Sequence, residues 1–196
     1  MIAIVVALAA TARADDKADQ LPQPGDVQLG QHALGAAIGF AGGGRVTPGG
    51  LRVSGDYLLR LDEGWWLDAS AGFTFGSSSA GCFRDRADAY VCAHGITDGF
   101  AVQAAATIRR LFAAQKQFRP FAFGGVGVGL VRFGGDALTG LLIPLHLGGG
   151  VRAQVTDTVA IVGQADLSAG VGVFGNGLGA QPLVGFAILA GTEFKL

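Results

Sequence analysis

Residues 51–76, LRVSGDYLLRLDEGWWLDASAGFTFG, decide the fold, because apolar and polar side chains alternate along them twice. Between 51 and 62 the odd positions are Leu51, Val53, Gly55, Tyr57, Leu59 and Leu61. The even positions are Arg52, Ser54, Asp56, Leu58, Arg60 and Asp62. Residues 65–76 repeat the alternation after a short Asp-Glu-Gly segment. A period of two over about twelve residues predicts two long antiparallel strands joined by a tight turn.

The same alternation continues along most of the remaining chain, separated by segments rich in turn-forming residues. It predicts eight strands at about 29–41, 51–62, 65–76, 99–112, 118–133, 141–155, 158–174 and 182–196. The fifth strand carries Arg119 and Arg132 on opposite parities, so we expect a β-bulge or a glycine bend between them. Each segment exceeds the roughly ten residues that a tilted strand needs to cross an apolar layer about 25 Å thick.

Composition indicates a membrane protein that does not use helices. Half of the residues are hydrophobic and the mean hydropathy is +0.45. Beyond the first dozen residues, however, no apolar run reaches the roughly 18–20 residues of a spanning helix. A closed barrel is the other structure that satisfies its backbone hydrogen bonds in lipid. The sequence therefore predicts an all-β fold, an eight-stranded antiparallel up-and-down transmembrane β-barrel.

The N-terminal residues are predicted to be an export signal. Residues 1–14 contain the apolar run IAIVVALAATA and end in Ala12-Arg13-Ala14, as in a cleaved signal peptide. Residues 15–27 are polar with two prolines and are predicted to be a flexible periplasmic segment, and residues 28–196 form the barrel. The predicted odd-numbered connections are all longer than the even-numbered ones. Because outer-membrane barrels have short periplasmic turns and longer external loops, we expect both termini in the periplasm and the location to be the outer membrane.

Three further stretches resemble a known family. They are RPFAFGGVGVG at 119–129, GGGVR at 148–152 before the Thr156-Asp157-Thr158 turn, and GTEFKL at 191–196. Over about residues 28–196 the chain resembles the eight-stranded outer-membrane β-barrels of Gram-negative bacteria that include the OmpA membrane domain and its OmpX-like relatives. The resemblance implies contact with the barrel-insertion machinery through the chain end. Members usually finish on an aromatic residue, whereas this chain has Phe194 and a final Leu196.

The longest predicted external loop, residues 77–98, contains both cysteines of the chain, Cys82 and Cys92. An exported protein meets an oxidising compartment, so a disulfide between them is expected. Free thiols and a metal pair are the alternatives. A metal site is disfavoured because His94 alone lies close in sequence, which leaves a zinc ion one ligand short.

Ionisable side chains on the inward parity predict a lumen charge network. Its members are Arg52, Asp56, Arg60, Asp68, Arg109, His146, Arg152, Asp166, Glu193 and Lys195. Eight strands enclose a lumen that side chains just fill, and charges there must pair. The alternative is a narrow gated channel for ions or small solutes, with water beside the small inward residues Gly35, Ala37, Gly39, Gly148 and Gly150.

These features favour a structural or surface-interaction barrel in contact with outer-membrane lipids and lipopolysaccharide, with an unspecified partner for the external loops. A net charge of −1 argues against nucleic acid. An enzyme that modifies lipid A would need a serine and an acidic residue beside a histidine; the histidines are His32, His94 and His146, and His146 has no serine two residues away and no obvious acidic partner. No cofactor or metal motif is present. A soluble lipocalin-like carrier is a further alternative, and it requires the apolar face to turn inward.

Overall fold

The computed structural model describes residues 32–44, 49–76, 81–84, 89–93, 99–112, 117–133, 138–175 and 178–196. The predicted signal peptide (1–14) and the segment at 15–27 lie outside these ranges. Within them, no helix is long and apolar enough to cross a membrane.

Eight long strands close into one antiparallel barrel. They are β1 (His32–Gly44), β2 (Gly50–Asp62), β3 (Trp65–Gly76), β6 (Gly99–Leu111), β7 (Phe118–Phe133), β8 (Leu138–Gln154), β9 (Val159–Phe174) and β10 (Gly179–Lys195). Two short strands, β4 (Gly81–Arg84) and β5 (Tyr90–Ala93), form a separate hairpin. Each barrel strand pairs with its neighbours in chain order, and β1 pairs with β10 to close the cylinder. The predicted fold class is confirmed.

The seam between the first and last strands runs to the end of the chain. Ala33 to Gly44 pair in continuous register with Lys195 to Val184. The amide of Leu196 then donates to the carbonyl of His32 at 3.0 Å. Full pairing at this seam leaves the barrel without a free sheet edge.

One expectation about the strands is wrong, and one connection contains additional strands. The β-bulge, one of the two features expected in β7, is absent, because β7 keeps one register with β6 from Phe121 to Phe133 and its burial alternates except at Gly124 and Gly125. Arg119 points inward, whereas Arg132 lies on the outward face near the end of the strand, so no parity change is needed. The connection at 77–98, predicted as the longest external loop, contains the β4–β5 hairpin.

The connections define two ends of the barrel. The loop end carries the connection 77–98 with its hairpin, and the turn end carries the connection 63–64 and the last residue. The predicted contrast between long and short connections is wrong at other positions. Because β8 and β10 begin earlier than expected, connections 134–137 and 175–178 are shorter than the turn-end connection 112–117. At 63–64, Gly64 has φ of 78°, a left-handed conformation that glycine adopts at low cost.

The barrel is apolar outside and polar inside. Outward side chains such as Phe40, Leu147 and Leu167 are 70%, 67% and 64% exposed. Charged and polar side chains such as Arg109 and Glu193 are almost fully buried in the lumen, at 2% and 5% exposure. This polarity is the reverse of a water-soluble domain and opposes the lipocalin-like alternative, which needs an apolar cavity and a polar exterior.

Aromatic rings from the neighbouring strand occupy the space beside two inward glycines. A Cβ on Gly148 would lie 2.4 Å from the ring of Phe123, and one on Gly150 would lie 2.7 Å from the ring of Phe121. The expectation of water beside these two glycines is therefore wrong. A glycine opposite a phenylalanine keeps the lumen cross-section nearly constant, which is how a narrow barrel accommodates a bulky inward residue.

Candidate functional site in the barrel lumen

An ion-paired cluster lies in the half of the lumen nearer the turn end. Arg109 on β6 donates to Asp68 on β3 at 2.6 Å and to Glu193 on β10 at 2.5 Å. Arg152 on β8 donates its Nε to the other oxygen of Glu193 at 2.7 Å. The guanidinium of Arg109 also lies 4.6 Å from the ring centroid of Phe121. The cluster therefore ties four barrel strands together across the lumen.

A second pair occupies the middle of the lumen. His146 Nδ1 lies 2.8 Å from an oxygen of Asp166, and both residues are buried. Nearby, Arg52 donates to the amide oxygen of Gln103 at 2.9 Å. These two contacts link β8 to β9 and β2 to β6 above the ion-paired cluster.

A polar cavity of about 40 Å³ separates the two groups and could hold about three water molecules. Its lining includes Arg52, Asp56, Asp68, His146 and Asp166. Six buried polar atoms at or near the cavity have no protein partner: Arg52 Nε, Ser54 Oγ, Asp68 Oδ1, Arg109 Nε, His146 Nε2 and Asp166 Oδ1. Buried polar atoms need partners, so this region is suited to bound water.

An apolar cluster fills the lumen toward the loop end. We call it the apolar plug, and it consists of Ala101, Val131, Phe133, Leu142, Phe174 and Leu183. Five strands contribute to it, and Leu142 is completely buried. The rings of Phe133 and Phe174 lie 6.3 Å apart between centroids. The lumen thus changes from ionic to apolar along its axis.

The remaining residues of the predicted network are placed differently. Asp56 lines the cavity but makes no ion pair within the described part of the chain. Arg60 lies at the turn end, where its Nε donates to the carbonyl of Asp62 at 3.3 Å in an exposed position. Lys195 also lies at the turn end, paired in register with Ala33. Arg60 and Lys195 therefore belong to the rim rather than to the buried network.

The other predicted site residues lie at opposite ends. Phe194 and Leu196 point outward at the turn end and are 48% and 64% exposed. The backbone of the β4–β5 hairpin places Cys82 directly opposite Cys92. Opposed residues of an antiparallel pair have Cα atoms about 4.5–5.5 Å apart, a range that disulfides span.

Sequence reasoning missed the acidic partner of His146. Asp166 was assigned to the network, but nothing local connects two residues on different strands, and the statement that His146 has no acidic partner is wrong. A catalytic triad would still need a nucleophile, and His146 Nε2 has no hydroxyl within hydrogen-bond distance. No group of three or more metal-ligating side chains occurs in the described ranges.

Polarity, strand number and closure together define the class: this is an eight-stranded β-barrel of the type found in outer membranes. No protein-family model matches the chain, and no curated protein matches it. Several solved structures are similar to it. Neisserial surface protein A superimposes with a TM-score of 0.64 at 13% identity, covering 85% of this chain and 97% of that one.

Two barrels from Pseudomonas aeruginosa are also similar. The N-terminal β-barrel domain of OprF gives a TM-score of 0.54 at 12% identity over 86% of this chain and 100% of that one. The outer membrane protein OprG gives 0.56 at 8% identity over 86% and 97%. All three are eight-stranded outer-membrane β-barrels, and this chain has their fold.

Proposed function

We propose that this protein is an outer-membrane β-barrel with a structural or surface-interaction role and a lumen closed by its own side chains. The observation that carries the proposal is the inverted polarity of the barrel. Large apolar side chains cover the outside, while Arg109, Asp68 and Glu193 are buried inside. Only a hydrocarbon environment makes such an exterior favourable.

Aromatic side chains at both ends support a membrane-spanning orientation. At the loop end, Phe73, Phe75 and Phe100 cluster on the outside with centroids 5.2 and 5.8 Å apart. At the turn end, Trp65 and Phe112 lie on the outside. Aromatic rings concentrate at membrane–water interfaces. The turn end, with the C-terminus, would face the periplasm and the loop end the exterior.

The apolar plug supports a closed lumen over the channel alternative. An ion entering from the loop end would have to displace Phe133, Phe174 and Leu142 and then cross the ion pairs of Arg109. Unpaired ions are costly in an apolar environment, so both layers oppose conduction.

Two measurements test the proposal. The detergent-extracted protein should migrate differently on a gel before and after boiling, as a folded membrane barrel does, and it should show no discrete conductance steps in a planar bilayer. A known porin serves as the positive control for the bilayer. Discrete openings would replace the closed-lumen role with the channel, and the absence of any mobility difference would contradict the membrane assignment.

The chain end and the hairpin suggest two contacts for such a barrel. Phe194 and Leu196 are exposed on the outward face of the last strand, where the barrel-insertion machinery could bind them. The β4–β5 hairpin lies within the longest connection, at the loop end, which would face the cell exterior. The similar Neisserial protein is named a surface protein.

A disulfide between Cys82 and Cys92 should stabilise the hairpin. Closing a loop of about ten residues contributes about 2.7 kcal/mol in the chain-entropy model. We expect protein purified without reductant to resist thiol alkylation, while reduced and unfolded protein takes up two alkyl groups, as measured by mass spectrometry. Reduction should also speed proteolysis between residues 77 and 98, and Cys82→Ser/Cys92→Ser protein should match the reduced rate. Alkylation of both cysteines without reduction would contradict the bridge.

A further inference from the structure

Two arginine side chains lie on the outward face of the described barrel strands. They are Arg110 on β6, near the turn end, and Arg132 on β7, near the loop end. Both are exposed, and neither is needed to neutralise a carboxylate in the lumen. Placing a cation in hydrocarbon costs free energy, so an outward arginine on this apolar surface is expected to have an interaction partner.

Arg110 lies on an aromatic platform. Its guanidinium carbon is 4.6 Å from the ring centroid of Trp65, its register partner on β3, and 6.0 Å from that of Phe112. It makes no ion pair with a carboxylate in the described part of the chain. A guanidinium that stacks through its face keeps its edge N–H groups free for a planar, bidentate acceptor.

The level of Arg110 fits a membrane interface. Phe100 pairs with Arg132 at the loop end and lies ten residues before Arg110 on the same strand. Ten residues span about 33 Å along a strand, or about 25 Å along the barrel axis at a tilt near 40°, which is the usual height of the apolar band. Arg110 and Arg132 therefore mark the two edges of the band.

We propose that Arg110, stacked on Trp65, binds the phosphate of an anionic phospholipid in the periplasmic leaflet. Phosphate oxygens match the free guanidinium edge, and the indole and phenyl rings contact the glycerol and upper acyl region. This inference rests on the proposed outer-membrane location and on the turn end facing the periplasm. It names a lipid class and a site that the barrel fold alone does not specify.

The two tryptophans of the chain permit a direct test. In a Trp66→Phe background, Trp65 is the only indole, and its quenching by lipids brominated near the glycerol end reports which lipid lies beside it. In mixed vesicles we expect brominated phosphatidylglycerol to be preferred over brominated phosphatidylcholine by about fivefold, the factor equivalent to about 1 kcal/mol for one interfacial cation. Arg110→Gln should reduce the preference to about one.

Matched variants separate the site from general charge effects. Arg132→Gln removes an outward cation at the opposite rim and should leave the preference at Trp65 unchanged. Arg110→Lys keeps the charge but loses the planar stack, so part of the preference should remain. Inorganic phosphate added to the buffer should not displace the lipid, because the rings require its hydrophobic part.

The outcomes distinguish this inference from the function on which it rests. Quenching of Trp65 by both lipids with equal efficiency, or an unchanged preference in Arg110→Gln, would overturn the lipid site and leave the membrane barrel intact. Competition by inorganic phosphate would replace the lipid with a free anion. No quenching by either lipid would instead contradict the membrane assignment itself.

Discussion

Replacing Arg109 with methionine should lower the free energy of unfolding by about 3–5 kcal/mol, the usual cost of removing one partner from a buried ion pair. Arg109 is 2% exposed and binds both Asp68 and Glu193. Methionine fills much of the space but leaves two carboxylates facing each other in the lumen. Glu193 keeps Arg152, whereas Asp68 loses its ion-pair partner. Urea titration in vesicles, followed by tryptophan fluorescence, measures the loss.

Two companion variants make that result interpretable. Arg132→Gln removes an exposed outward arginine and should change the free energy of unfolding by no more than about 0.5 kcal/mol. Asp68→Asn in the Arg109→Met background removes the orphaned charge and should restore about 1–2 kcal/mol. A loss below about 1 kcal/mol in Arg109→Met alone would show that the cluster does not hold the barrel together.

The second large effect is expected from a single methyl group at Gly125. A Cβ there would lie 2.1 Å from the carbonyl oxygen of Ala106 and 2.6 Å from the Cα of Thr107, both backbone atoms of the adjacent strand. Gly125→Ala must therefore push β6 and β7 apart inside a closed cylinder, where neither strand can move without disturbing its other neighbour. Overpacking of this kind costs about 3 kcal/mol. The same urea titration measures it.

Gly163 provides the matched control on β9. A Cβ at Gly163 meets nothing within 4 Å, because the position faces outward. Gly163→Ala should be neutral or slightly stabilising, since alanine restricts the unfolded chain more than glycine does. If Gly125→Ala and Gly163→Ala unfold at the same urea concentration, the close approach of β6 to β7 has no energetic consequence and the packing argument fails.

The alternation of side chains was sufficient to predict the barrel and most strand bounds. Strands β3 and β7 begin and end where the pattern indicated, and the pleat assigns Asp68, Arg109 and Glu193 to the lumen without any tertiary information. The pattern was less informative at strand ends, where β8 and β10 extend beyond the alternating segments. The hairpin at 81–93 gave no comparable signal, because its strands have four residues each.

The sequence by itself determined which face of each strand is apolar, because successive side chains of a pleated strand point to opposite sides. Only the tertiary structure decided which inward charges meet. Arg109 and Glu193 are 84 residues apart in the chain and come together because the registers of four successive strand pairings, from β6 to β10, carry them to one level. The same registers set Phe121 and Phe123 opposite glycines and placed Arg110 on Trp65. Register is a property of the closed cylinder, so no local segment encodes it.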